Sequence, residues 1–370
     1  MKVYTCSNCQ NPLYFENSQC LNCAHAVGFD PAQLTMITLP TGKADTFPGV
    51  ANAASPGVAN DASSGTANDA SSYRYCRNAE YGTCNWLIPA GSDQSYCEAC
   101  KLNRVIPSLT SEENRLRWKN MEVAKHRLIY SLLRLRMPFH IEEGGRKESL
   151  QFDFMADASP DEKVMTGHDN GLITINIEEA DEGARVRHKL DLGERYRTLL
   201  GHFRHESGHY YWDVLIKDGP FLEKFREFFG DERKDYAAAL ETYYANGLAA
   251  DWNQHFISQY ATAHPWEDWA ETWAHYLHMM DTLETAWAFG IRIDPAELDE
   301  TAKIRASIVK EPYGVADFNW LIRRWLPLCF AVNSLNRSMG HADFYPFILS
   351  SPVIEKLRFI HEVCHSGVRS

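Results

Sequence analysis

The chain has 370 residues, 45% apolar and 12% aromatic, with a net charge of −12. That length and apolar content suit two to three domains with a sizeable core, and the acidic balance argues against a protein that coats nucleic acid or anionic membrane. No apolar run approaches the ~20 residues of a membrane-spanning helix.

The opening MKVYTCSNCQ has no apolar leader, so the expected compartment is the cytoplasm. Ten cysteines in such a chain point to metal before disulfides. Within residues 1–40, Cys6-x2-Cys9 and Cys20-x2-Cys23 are two knuckles that together complete a tetrahedral four-cysteine zinc site. His25 is a spare nitrogen outside that set. Residues 41–72 hold three imperfect eight-residue repeats beginning at Gly49, Gly57 and Gly65. They are too poor in large apolar groups to offset the entropy of ordering, and read as a flexible linker or surface loop. Residues 73–106 carry Cys76, Cys84, Cys97 and Cys100, a second four-cysteine zinc segment. Whether the eight thiols sort by segment or interleave is open from spacing alone. The module is slightly acidic, which favours protein contact or scaffolding over reading DNA.

A core domain is expected over 107–290. Thr110 and Glu113 fit a capping box for a helix that ends before Pro138. Leu150–Ala156 alternates like a strand, Asp169-Asn170-Gly171 is a turn signal, and Leu172–Ile177 is the next strand, either the edge along which an extended peptide lies or an ordinary strand of the sheet. A helix follows over about 193–214, then two helical pieces over 221–250 broken near Gly230, and another helix from about Trp266, with helical character continuing over 283–293. Residues 291–370 read as a helical part packed on the core, interrupted by Pro327 and closed by a helix over 352–365. There Cys329 and Cys364 are expected to be buried or free thiols. His361 and His365 are expected on a solvated helix face.

The chemistry centres on His205-Glu206-Ser207-Gly208-His209, or H-E-x-x-H. On a helix, positions i and i+4 share a face, so both imidazoles can hold one zinc with Glu206 beside its water as general base. Asp213 is poorly placed as a third ligand, because one straight helix cannot aim three side chains over two turns at one ion. The third must come from another element. Glu267 is the first choice and Glu271 the second. The remaining carboxylate would hydrogen-bond the free nitrogen of a ligand histidine. Tyr260 is the candidate donor to the oxyanion, with Tyr243, Tyr244, His275 and Tyr276 behind it.

The stretches CSNCQNPLYFEN, CNWLIPA, CKLNRVIP, GHFRHESGHYYWD and HPWEDWAETWAHYLHMMDTLETA resemble bacterial zinc-binding metallopeptidases that carry an N-terminal zinc ribbon. More distantly, the spacing Tyr260-x6-Glu267-x-x-Ala-Glu271 is similar to the third-ligand segment of anthrax lethal factor and the Pro-Pro endopeptidases, which are gluzincins. That likeness implies Glu267 on zinc, Glu271 behind a ligand and Tyr260 at the oxyanion. A rival alignment of AETWAHY with the aminopeptidase gluzincins would make Glu271 the ligand. The implied fold is α+β, a four-cysteine zinc-ribbon module followed by a zincin-like metallopeptidase domain with a mostly helical C-terminal part. One catalytic and two structural zinc ions are expected, with a peptide or protein substrate cut as by an endopeptidase. A zinc-ribbon adaptor that binds peptides without turnover is the other reading.

Overall fold

The computed structural model describes residues 1–40, 73–143, 146–157, 164–183, 198–246, 251–297 and 304–367. The repeats at 41–72, the stretch 193–197 before the zinc helix and residues 247–250 lie outside the described residues.

Two short hairpins open the fold. β1 (Tyr4–Thr5) pairs antiparallel with β2 (Pro12–Leu13), and β3 (Val27–Asp30) with β4 (Thr35–Thr38). Past the repeats, β5 (Tyr73–Tyr75) pairs antiparallel with β6 (Leu87–Pro89). The eight thiols sort by segment: Cys6, Cys9, Cys20 and Cys23 form one cluster, and Cys76, Cys84, Cys97 and Cys100 a second, fully buried one. Sulfurs on a tetrahedral zinc at about 2.3 Å stand about 3.8 Å apart. The Sγ separations of 3.6 Å for Cys6–Cys23, 3.5 Å for Cys9–Cys20 and 3.7 Å for Cys84–Cys97 suit that ion.

Both cysteine segments belong to one body. Asn85 Nδ2 donates to the carbonyls of Phe15 (2.7 Å) and Asn17 (2.9 Å). Gly28 sits so close to β6 that an added Cβ would lie 2.6 Å from the Leu87 side chain. Phe15 and Phe29 pack edge-on against Tyr130, with ring centres 5.2 and 5.9 Å away, and Trp86 packs on Phe15 and Phe29 in turn. Tyr130 belongs to α1 (Glu112–Leu135), so the ribbon and the following domain share a continuous core. The α1 cap differs from the capping-box expectation. Ser111 Oγ, not Thr110, accepts from the backbone at Asn114 N (3.4 Å), while Glu113 turns to Arg117 at 2.8 Å.

A mixed four-stranded sheet supports the site. β7 (Asn103–Val105), β10 (Gln151–Met155) and β12 (Leu172–Asn176) run parallel, and β11 (Gly167–Asp169) joins antiparallel to β12, giving the order β11-β12-β10-β7. A separate hairpin, β8 (His140–Glu143) with β9 (Arg146–Ser149), precedes β10. Asn170 and Gly171, with φ of 48° and 85°, make the two-residue turn from β11 to β12. Of the two readings left open for β12, the interior strand is the one found: among the described residues β11 and β7 are the edges. Alternation identifies a strand but not its neighbours.

Helices cover the sheet. α2 (Leu199–Leu215) lays Phe203 on Phe152 and Phe154 of β10, with ring centres 5.8 and 5.9 Å away. α3 (Leu222–Phe229) and α4 (Tyr236–Asn246) flank the break at Gly230, whose φ is +98°. α5 (Pro265–Ala288) is the central helix, buried along most of its length. A small hairpin, β13 (Arg292–Ile293) with β14 (Ala306–Ser307), leads to α6 (Phe318–Ser338) and α7 (Ser351–His365), which pack on α5. No described helix is long and apolar enough to cross a membrane.

Two expectations fail in this C-terminal part. Pro327 does not interrupt α6, which runs through it because buried Trp325, Leu328 and Cys329 hold both sides against the core. His361 is not solvated: it is buried, faces Tyr276 Oη at 3.0 Å through Nδ1 and donates to Ala316 O through Nε2 at 3.1 Å. Its neighbour His365 faces Tyr313 O at 3.2 Å. Cys329 and Cys364 are buried free thiols, as expected.

Candidate metal centre and active-site cleft

Thr198 starts α2 by accepting Gly201 N–H at 2.9 Å, and one turn of helix separates His205 from His209 on a common face. α5 crosses this helix. His264 caps α5, its Nδ1 accepting from Trp266 N (3.1 Å) and its Nε2 donating to Lys234 O (3.1 Å), with Pro265 at the first helical position. Two indoles of α5 clamp α2. Trp269 Nε1 donates to Gly208 O at 2.8 Å, and Trp273 Nε1 to Ser207 Oγ at 3.1 Å. The two residues inside H-E-x-x-H thus serve the helix crossing.

Gly208 makes that crossing close: an added Cβ would lie 2.8 Å from Ala270 Cα. Gly208→Ala should push α5 away from α2, destabilise the fold by about 1–3 kcal/mol and weaken metal retention. Thermal unfolding with and without chelator checks this. An unchanged Tm in both conditions would show that the crossing does not depend on the missing side chain.

From α5, Glu267 reaches between the imidazoles. Its Oε2 lies 3.0 Å from His205 Nε2 and 3.6 Å from His209 Nε2. This oxygen is buried and accepts no well-formed hydrogen bond. Two zinc–ligand bonds of about 2.05 Å at a tetrahedral angle span about 3.3 Å, so the donor set and its spacing fit one zinc ion. Glu267 Oε1 accepts Tyr236 Oη–H at 2.7 Å. Burial opposes the Glu267 charge, yet His209 and His205 hold its carboxyl at about 2. Glu271 faces the other side of the same histidine, with Oε1 2.6 Å from His205 Nδ1. This contact fixes the proton on Nδ1 and leaves Nε2 free to bind a metal. Asp213 stands off the centre and pairs with Lys217 at 3.3 Å.

Glu206 lies beside the centre, buried. Its Oε1 accepts His202 Nε2–H at 3.1 Å, and His202 Nδ1 in turn bonds Glu179 Oε2, whose other oxygen accepts from Thr166. Burial disfavours a charged His202, but Glu179 and Glu206 raise it to about 9. Burial likewise pushes the Glu206 carboxyl up, and His202 outweighs it and holds the group below the usual carboxylate range. Tyr260 stands with its ring 5.9 Å from that of His205. Burial and then Glu267 push its phenol well above the ordinary value, so it remains a proton donor. Tyr244 and His275 line the same cleft, and Tyr243 packs on Tyr260 at 5.9 Å. Tyr276 points instead into the core towards His361.

The cleft holds about 610 Å³ and runs from Thr166 and Asn176 on the sheet side, past His202, Glu206 and Tyr260, to Phe347. β11 borders the centre, where His168 stacks on His209 with ring centres 6.2 Å apart and planes 19° off parallel. Sequence reasoning missed Tyr236, Glu179, His168 and His202. Only His202 carried a local signal, standing four residues before Glu206 on one helix.

A family described as "Putative zinc-binding metallo-peptidase" matches residues 114–363, and a zinc-ribbon domain matches residues 3–111. The chain is 38% identical over 364 residues to uncharacterized proteins of Mycobacterium bovis and of two Mycobacterium tuberculosis strains, covering 98% of this chain and 95% of theirs. No solved structure matches. The ribbon in front, the crossed helices behind it and a family match across the whole second domain lead to one assignment: the chain belongs to the zinc-binding metallopeptidase family.

Proposed function

We propose that the chain is a zinc-dependent peptidase of gluzincin type that cuts within peptides or proteins. The observation that carries this reading is the convergence of His205 Nε2, His209 Nε2 and the unpartnered Glu267 Oε2, with the Glu206 carboxylate nearby, lining the cleft together with His205. When bound there, zinc supplies a Lewis acid that acidifies water and polarises a carbonyl. Glu206 has one oxygen engaged by His202 and the other left to take a proton from water and pass it to the leaving amine. Tyr260 offers its hydroxyl to the developing oxyanion. Tyr236 and Glu271 orient ligands, the first on Glu267 and the second on His205. β11, an edge strand among the described residues, offers backbone groups on which an extended substrate can pair. Spacing supports one catalytic and two structural zinc ions.

The test is a digest of a complex peptide mixture by the zinc-loaded chain, read by mass spectrometry, then repeated with chelator and with zinc restored. Cleavage that disappears and returns is the expected result. A chain with three zinc ions that leaves every peptide intact would overturn the peptidase reading in favour of a peptide-binding adaptor.

A further inference from the structure

The second cysteine cluster has a fifth member that comes from the other domain. His126 lies on α1, is buried, and stands edge-on to Trp86 at 5.1 Å. Its Nδ1 is 2.6 Å from the carbonyl oxygen of Glu122. Its Nε2 points into the cluster, 3.3 Å from Cys84 Sγ and 3.8 Å from Cys100 Sγ. A backbone carbonyl only accepts, so Nδ1 carries a proton. A thiolate also only accepts, so the Nε2 contacts are favourable when that nitrogen carries a proton as well.

We infer that His126 is part of the second zinc site, where its Nε2–H donates to the thiolates of Cys84 and Cys100. Four thiolates on one zinc leave a net charge of about −2 in a buried volume, and such charge is costly unless it is paired and hydrogen-bonded. The backbone supplies two weak donors, Trp86 N to Cys84 Sγ at 3.4 Å and Cys97 N to Cys76 Sγ at 3.3 Å. His126 adds a charged one. The nearby carboxylate of Glu122 would oppose the cluster, but Lys125 Nζ neutralises it at 2.9 Å, both groups being fully buried. α1 therefore carries the counter-charge for a metal held by the ribbon. Since α1 also packs on α2, loss of that zinc loosens the support of the H-E-x-x-H helix. This inference concerns the ribbon metal and stands whether or not the cleft cuts peptides.

The test follows each thiol separately in the full chain. Wild type, His126→Ala and His126→Gln are exposed to a chelator with an alkylating reagent, and mass spectrometry reads the rate at every cysteine. The expected result for His126→Ala is about 10–100-fold faster labelling of Cys76, Cys84, Cys97 and Cys100, with Cys6, Cys9, Cys20 and Cys23 unchanged. His126→Gln, which keeps an N–H without the charge, should fall between. Unchanged rates in both variants would overturn the inference, as would equal acceleration at all eight thiols, which marks a packing role alone. Cobalt substitution separates donor from ligand. The visible spectrum should report four sulfurs in wild type and in His126→Gln alike, and a nitrogen ligand field lost on substitution would overturn the donor role.

Discussion

Replacing Glu206 with Gln should leave the zinc content of the chain unchanged and, on the proposed mechanism, lower kcat by about 10²–10⁴. The side chain is not among the three converging ligand atoms, so the metal has no reason to leave. Gln has the same shape, and its amide oxygen can still accept from His202, which keeps the Glu179–His202 chain in place. What disappears is the carboxylate oxygen proposed above to receive a proton. Elemental analysis together with single-turnover cleavage separates the two quantities. Loss of zinc in the variant would make Glu206 a structural residue, and a rate within threefold of wild type would remove it from the mechanism.

The second large effect is on stability. Lys356 of α7 is buried and donates to Asp268 Oδ2 at 2.6 Å and to the carbonyl of His255 at 2.8 Å. Asp268 is also buried, and burial pushes its carboxyl up to about 7 although Lys356 pulls the other way. Lys356→Met strands both acceptors without a donor. Removing one partner of a buried pair destabilises by about 3–5 kcal/mol, which corresponds to a fall in Tm of roughly 4–6 °C for a chain of this length. Asp268→Asn added to Lys356→Met should restore part of the loss, because no uncompensated charge then remains. Calorimetry on wild type and the two variants checks this, and a Tm for Lys356→Met within 1 °C of wild type would mean that the pair is energetically silent.

The architecture was legible where spacing is local. His205 and His209 are one helical turn apart by their numbering, and Glu267 and Glu271 likewise, so each pair had to share a face wherever its helix went. The order of ribbon, sheet and helices followed from cysteine knuckles, alternation and helical periodicity. What escaped the sequence depends on which element lies beside which. Tyr236 reaches Glu267 across 31 residues, Glu179 reaches His202 across 23, and His126 reaches Cys84 across 42. None of these distances in sequence implies nearness in space. The place of LITIN in its sheet stayed open for the same reason: it alternates like any strand, but only the short segment Gly167–Asp169 decides that β12 has a neighbour on both sides. His361 was misread because a polar residue on an amphipathic helix defaults to water, whereas here the carbonyl of Ala316 takes its place.

The aromatic cluster of Phe15, Phe29, Trp86 and Tyr130 bears on how this protein can be cut and recombined. A boundary drawn between residues 111 and 114 separates two family matches, but it runs through a shared interior. Freed of the ribbon, α1 would present Tyr130, His126 and Trp118 to water, all now buried, and an exposed patch of that kind invites aggregation. The two halves should therefore melt in one calorimetric transition. They are also poor parts for exchange: a ribbon grafted from a relative would have to bring the face of α1 with it.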